Sequence, residues 1–107
     1  MHTESIAELS KHKIGILGFG QEGQAVLKYL AKHNLKATVF DENEILPTDQ
    51  AIDDSTVFKT GRNYLDSISE CSLLFRSPGI WRRHPKILHA EQAGVIITSQ
   101  TIWFFKH

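Results

Sequence analysis

Residues 13–23 read Lys13-Ile-Gly-Ile-Leu-Gly-Phe-Gly-Gln-Glu-Gly23, a short apolar run that passes directly into Gly18-x-Gly20-x-x-Gly23 and then into helical periodicity. That order predicts a strand, a phosphate-holding turn and a helix. Gly18 permits a tight strand-to-helix turn, Gly20 lets backbone amides approach a pyrophosphate, and Gly23 lets helix and strand pack closely. The helix that follows presents unpaired N–H groups and the positive end of its dipole. A G-x-G-x-x-G alone carries little weight, but here Val39-Phe40-Asp41 closes a second apolar run with an acid.

Working outward, strand and helix patterns alternate as a doubly wound parallel sheet requires. Residues 13–17 form the first strand, and residues 21–33 place Val26, Tyr29 and Leu30 on one helical face. Asn34 is the left-handed stop before a second strand over Lys36–Phe40. Residues 41–54 carry Asp41, Glu42, Glu44, Asp49, Asp53 and Asp54 without Lys or Arg, and Pro47 interrupts them, so a solvated connection is expected. An edge strand is expected at Thr56–Lys59, a helix at Asn63–Glu70 and a fourth strand at Ser72–Arg76, ending in Ser77-Pro78-Gly79. A helix opened by Pro85 then runs to Gln92, Gly94 stops it, and Val95–Thr98 makes a fifth strand. The fold class is α/β: about five mainly parallel strands, doubly wound, with flanking helices. Parallel strands present their carboxyl ends on one side, so the loops Gly18–Gly23, Asp41-Glu42 and Ser77-Pro78-Gly79 should converge there. The expected ligand has a pyrophosphate near the first loop and a sugar or base near Asp41.

The 107 residues, 41% hydrophobic and 22% charged, suit one compact domain. Twelve basic residues balance twelve acidic ones, so no overall field recruits nucleic acid. No window resembles a membrane span and the N-terminus lacks a secretory apolar core, so a cytoplasmic location is expected. Cys71 is the only cysteine, which excludes an internal disulfide and makes it a small buried filler. His84 and His89 are five apart on a helix, about 140° around it, so no metal site is expected.

On Gly18-Phe-Gly-Gln-Glu-Gly23 with its Ala25-Val26-x-x-x-Leu30 helix, Val39-Phe-Asp41, Leu74-Phe-Arg-Ser-Pro-Gly-Ile80, His84-Pro85 and Ala93-Gly-Val-Ile-Ile-Thr98, nearly the whole chain resembles the N-terminal domain of the Mur ligases of bacterial peptidoglycan synthesis. The Ser-Pro-Gly-Ile element ahead of His-Pro favours the branch that adds D-glutamate to UDP-N-acetylmuramoyl-L-alanine. The resemblance implies a Rossmann-like domain over residues 1–107 that binds the UDP half of that substrate and uses no nicotinamide. It places Gly20, Gln21 and Glu22 facing the diphosphate, Asp41 and Glu42 at the uracil, and Gly79 of Ser77-Pro78-Gly79 beside the nucleotide. The ATP- and magnesium-dependent step, in which an acyl phosphate is attacked by the amino-acid amine, is implied to belong to central and C-terminal domains absent from this chain. Consistent with that, no Gly-Lys pair occurs, and hence no G-x-x-x-x-G-K-S/T loop. No catalytic residue is expected, and the domain alone should be inactive and hold no cofactor.

Two departures from the family pattern stand out. Glu22 occupies a position where relatives commonly carry Ser or Thr. A carboxylate about 4 Å from a phosphate costs on the order of 1–4 kcal/mol, whereas an acid in a first helical turn contributes roughly 0.3–1 kcal/mol. Ser99-Gln-Thr-Ile102 replaces the acidic residues that often lead out of this domain. Trp81-Arg82-Arg83 offers a ring and two guanidiniums, or else a solvated helix entry, while Ser77 reads as a turn residue. The aromatics Trp103, Phe104 and Phe105 either mark a domain junction or cover the end of the sheet. Two further readings stay open on the residues: a domain sensing NAD(H) or adenine nucleotide, with Asp41 on a ribose, and a Rossmann-like interaction domain that binds nothing.

Overall fold

The computed structural model describes residues 6–44 and 56–101. The elements are α1 (Ile6–Leu9), β1 (Ile14–Leu17), α2 (Gln21–Lys32), β2 (Ala37–Asp41), β3 (Val57–Thr60), a 3₁₀ turn (Ile68–Glu70), β4 (Leu73–Arg76), α3 (Pro85–Gln92) and β5 (Ile96–Ser99). All strand pairings are parallel, in the order β3-β2-β1-β4-β5. The α/β expectation holds, and β3 is an edge strand as read.

The two-residue period of the strands divides the core into two layers. Ile14 and Ile16 of β1, Ala37 and Val39 of β2 and Leu73 and Phe75 of β4 pack against Val26, Leu27 and Leu30 of α2. Leu17, Phe40 and Leu74, on the other face, meet Ile87 and Ala90 of α3 together with Leu65 and Ile68. β1 is buried at all four positions because it is central and covered on both faces. Tyr29 is half-buried against the first layer, and Cys71 is a buried free thiol in the second, its pKa pushed up mainly by that burial.

Asn34 takes φ 60°, the left-handed stop read from the sequence. The helix expected over Asn63–Glu70 is instead a series of tight turns ending in the 3₁₀ segment. The N–H groups of Tyr64, Asp66, Ile68 and Glu70 reach back three residues, to Gly61, Asn63, Leu65 and Ser67. Asn63, Asp66, Ser67 and Ser69 compete poorly for a regular helix, while a three-residue repeat suffices to bury both Leu65 and Ile68. Most of the acidic connection after Glu44, and the aromatics at 103–105, lie outside the described residues. Among the described residues no helix is long and apolar enough to cross a membrane.

Candidate functional site

Because β1 leads leftward to β2 and β4 lies on its other side, the strand order reverses beside β1, where α/β sheets open a crevice at the carboxyl ends. A cleft of about 370 Å³ occupies that place, walled by Gly18, Phe19, Gly20, Asp41, Glu42, Asn43, Tyr64, Ser77, Gly79, Ile80, Trp81 and His84. The three predicted loops thus converge. Gln21, Glu22, Gly23 and Pro78 are not among the residues that line it.

The glycines act as their spacing requires. Gly18 has φ +91°, a backbone state that side chains disfavour. A Cβ at Gly20 would meet nothing within 4 Å, so backbone is open to a ligand there. A Cβ at Gly23 would lie inside the van der Waals surface of the Gly18 carbonyl oxygen, which is the close helix–loop approach. Phe19 turns its ring into the core and meets Phe58 edge-on at 5.8 Å, anchoring the loop between the glycines.

Asp41 does more than end a strand. Its Oδ2 accepts from the Phe19 N–H at 2.8 Å and its Oδ1 from the Asn43 N–H at 2.8 Å. The Gly18 N–H donates to the Phe40 carbonyl at 2.7 Å. The amides of Gly18 and Phe19 are therefore committed to β2, and an anion would meet those from Gly20 onward, at the start of the twelve-residue α2, whose N-cap has no side-chain hydrogen bond. None of the lining residues is Lys or Arg, so in this cleft negative charge falls to amides and helix dipole.

Glu22 is turned elsewhere: its Oε2 accepts from Thr101 Oγ1 at 2.6 Å. Next to it, Gln100 is 1% exposed, and its Nε2 donates to the carbonyls of Leu17 and Gly18 at 2.9 Å and of Phe75 at 3.0 Å. This buried amide ties the end of β1, the glycine loop and β4 together, a role that needs a donor. Nothing local in the sequence marks it, since its partners lie 25 to 83 residues away.

The third loop is organised by Arg76, which sequence reading passed over. Its Nη1 donates to the carbonyls of Ser77 at 3.2 Å and Ile80 at 2.6 Å. Burial, and then Arg82, push its pKa below the ordinary guanidinium value. Ser77 is the turn residue expected, its Oγ accepting from the Gly79 N–H at 3.2 Å. Tyr64 was also missed. Its pKa is raised by burial first and then by the nearby Glu42 and Asp41, which marks the acidic end of the cleft. His84 caps α3, Nδ1 accepting from the Lys86 N–H at 3.1 Å, which leaves Nε2 as the protonated nitrogen in the neutral ring. Among the described residues no three His, Cys, Asp or Glu side chains are grouped to hold a metal ion.

Comparison with known proteins fits this geometry. The family model of the Mur ligase MurD-like N-terminal domain matches residues 12–99. The chain is 31% identical over 99 residues to UDP-N-acetylmuramoylalanine–D-glutamate ligase of Clostridium tetani, covering 89% of this chain and 22% of that protein. It is 26% identical over 103 residues to the enzyme of the same name from Acetivibrio thermocellus, covering 92% of this chain and 22% of the relative. Against the Clostridium botulinum (strain Loch Maree) enzyme the identity is 27% over 99 residues, with 89% and 22% covered. The chain thus spans about a fifth of the length of these relatives. A match running from just before β1 to the end of β5 takes in the glycine loop, Asp41 and the Ser77–Ile80 turn, and the chain belongs to the family of MurD-like N-terminal domains of Mur ligases.

Proposed function

We propose that this domain binds the UDP half of UDP-N-acetylmuramoyl-L-alanine, as the substrate-holding part of a ligase that joins D-glutamate to it. The ATP- and magnesium-dependent amide formation would belong to other parts of the whole enzyme. The observation that carries the reading is the division of amides in the glycine loop. Those of Gly18 and Phe19 are held by β2, while the run from Gly20 at the head of α2 is left for an anion beside a cleft lined by Asp41, Glu42 and Gly79. The diphosphate would lie on that run. Asp41 would accept from the single uracil N–H, each of its oxygens keeping a lone pair after its amide bond, with Glu42 beside the ring.

Calorimetric titration with UDP, and separately with NADH, tests this. Binding of UDP and not NADH is expected. Binding of NADH alone would replace the reading with a dinucleotide site, which would use the same glycines and Asp41. Asp41→Ala is expected to weaken UDP binding at least tenfold, about 1.4 kcal/mol. It should also destabilise the fold by about 1–3 kcal/mol in a urea melt, because two amides lose their acceptor. Unchanged affinity would take Asp41 out of the site. Glu22→Thr, by contrast, should change UDP affinity less than about threefold, under ~0.7 kcal/mol, since its carboxylate is engaged by Thr101 and outside the cleft wall. A tenfold tightening would show that it faces the phosphates after all.

A further inference from the structure

Trp81 is 66% exposed, the most exposed of the large hydrophobic residues described, and it stands in the wall of the cleft. A single surface indole needs no explanation by itself. Its setting does. The backbone on both sides of it is fixed: the Ile80 carbonyl accepts from Arg76 Nη1 at 2.6 Å, the Ile80 N–H donates to Ser77 O at 3.1 Å, and the Trp81 carbonyl accepts from the His84 N–H at 3.0 Å. Ile80 packs against the second core layer. Beside it Gly79 leaves space, for a Cβ there would meet only Ser77 Oγ, at 3.7 Å. The neighbouring guanidinium is drawn away, since Arg82 pairs with Glu91 at 3.5 Å, and neither Arg82 nor Arg83 lines the cleft. A flat apolar ring therefore borders the same cleft whose lining also offers the acceptors Asp41 and Glu42.

We infer that Trp81 is the stacking platform for the nucleotide base, supplying affinity for the face of the pyrimidine while the acidic end of the cleft reads its edge. This rests on the uridine-nucleotide reading above. Indole offers the broadest π face among side chains, and its two rotatable bonds make it a cheap anchor to order. Base–aromatic stacking is lost on truncation of the ring and kept on replacement by another ring.

The test is titration of UDP against the wild-type protein and the variants Trp81→Phe, Trp81→Leu and Trp81→Ala, with indole emission followed in parallel. An exposed position leaves the fold intact in all three. Trp81→Phe is expected to bind within about threefold of wild type, and Trp81→Leu and Trp81→Ala about tenfold more weakly. UDP should quench the wild-type emission, and the quench should vanish in Trp81→Phe. Equal affinity across the series, or Leu matching Phe, would overturn the stacking role while leaving the uridine-nucleotide site standing. A wild-type protein that binds no UDP would remove that reading, and the platform with it.

Discussion

Gly23→Ala should unfold this domain at markedly lower urea concentration, with a loss of about 3 kcal/mol. Alanine ordinarily gains up to ~1 kcal/mol over glycine within a helix, so the expected sign is opposite to the helix rule. The reason is where the methyl would go. A Cβ at Gly23 falls within the Gly18 carbonyl oxygen and lies 3.3 Å from Gln100 Nε2. That carbonyl belongs to backbone and is already held by Gln100 at 2.9 Å, so it has little freedom to retreat. Overpacking costs typically ~1–3 kcal/mol, and forcing Gly18 O off its donor adds a buried unmet acceptor at about 1–3 kcal/mol. UDP affinity should fall as well, because the amides at the head of α2 move with the loop. A variant as stable as wild type would show that helix and loop have slack between them.

Gln100→Leu is expected to cost about 2–4 kcal/mol, from one buried acceptor left unmet at about 1–3 kcal/mol and further hydrogen bonds lost at about 0.5–1.5 kcal/mol each. Leucine has a similar bulk and is more apolar, so simple burial favours it. What it cannot do is donate to Leu17, Gly18 and Phe75. The Leu17 carbonyl keeps the Ser77 N–H at 2.9 Å and Phe75 stays paired within the sheet, so the loss should concentrate on Gly18. Urea melts of this variant and of Gly23→Ala should therefore not add in the double variant, since both act through the Gly18 carbonyl. Full additivity would separate the two effects, and a neutral Gln100→Leu would mean that water serves these carbonyls.

The parts of the fold that could be read in advance are those where one residue type answers one backbone need. Gly18 at φ +91°, Asn34 at φ 60° and Pro85 opening α3 all declare themselves locally. Two-sided burial of β1 shows as an unbroken apolar run, and the parallel arrangement then brings Asp41-Glu42 and Ser77-Pro78-Gly79 to one edge without any knowledge of contacts. The turns at Asn63–Glu70 were misread because Leu65 and Ile68 satisfy a helical and a 3₁₀ repeat equally well. Tyr64 enters the cleft only through the path of those turns. Arg76 and Gln100 could not be found by spacing. Each is polar and spends its hydrogens on carbonyls whose positions only the folded sheet defines.

The order of synthesis gives the Gln100 clamp a further meaning. The glycine loop is made early, with its strand β1 among the first elements, but β1 has no complete setting until β2 on one side and β4 on the other have been made. The Gly18 and Phe19 amides of the loop are held by β2, but its carbonyls are held from residue 100, 82 and 83 residues downstream of them. Contacts so distant form late and slowly. A ribosome would therefore release nearly the whole of this domain before the cradle took its final shape, and a nascent chain halted before residue 100 should still lack it.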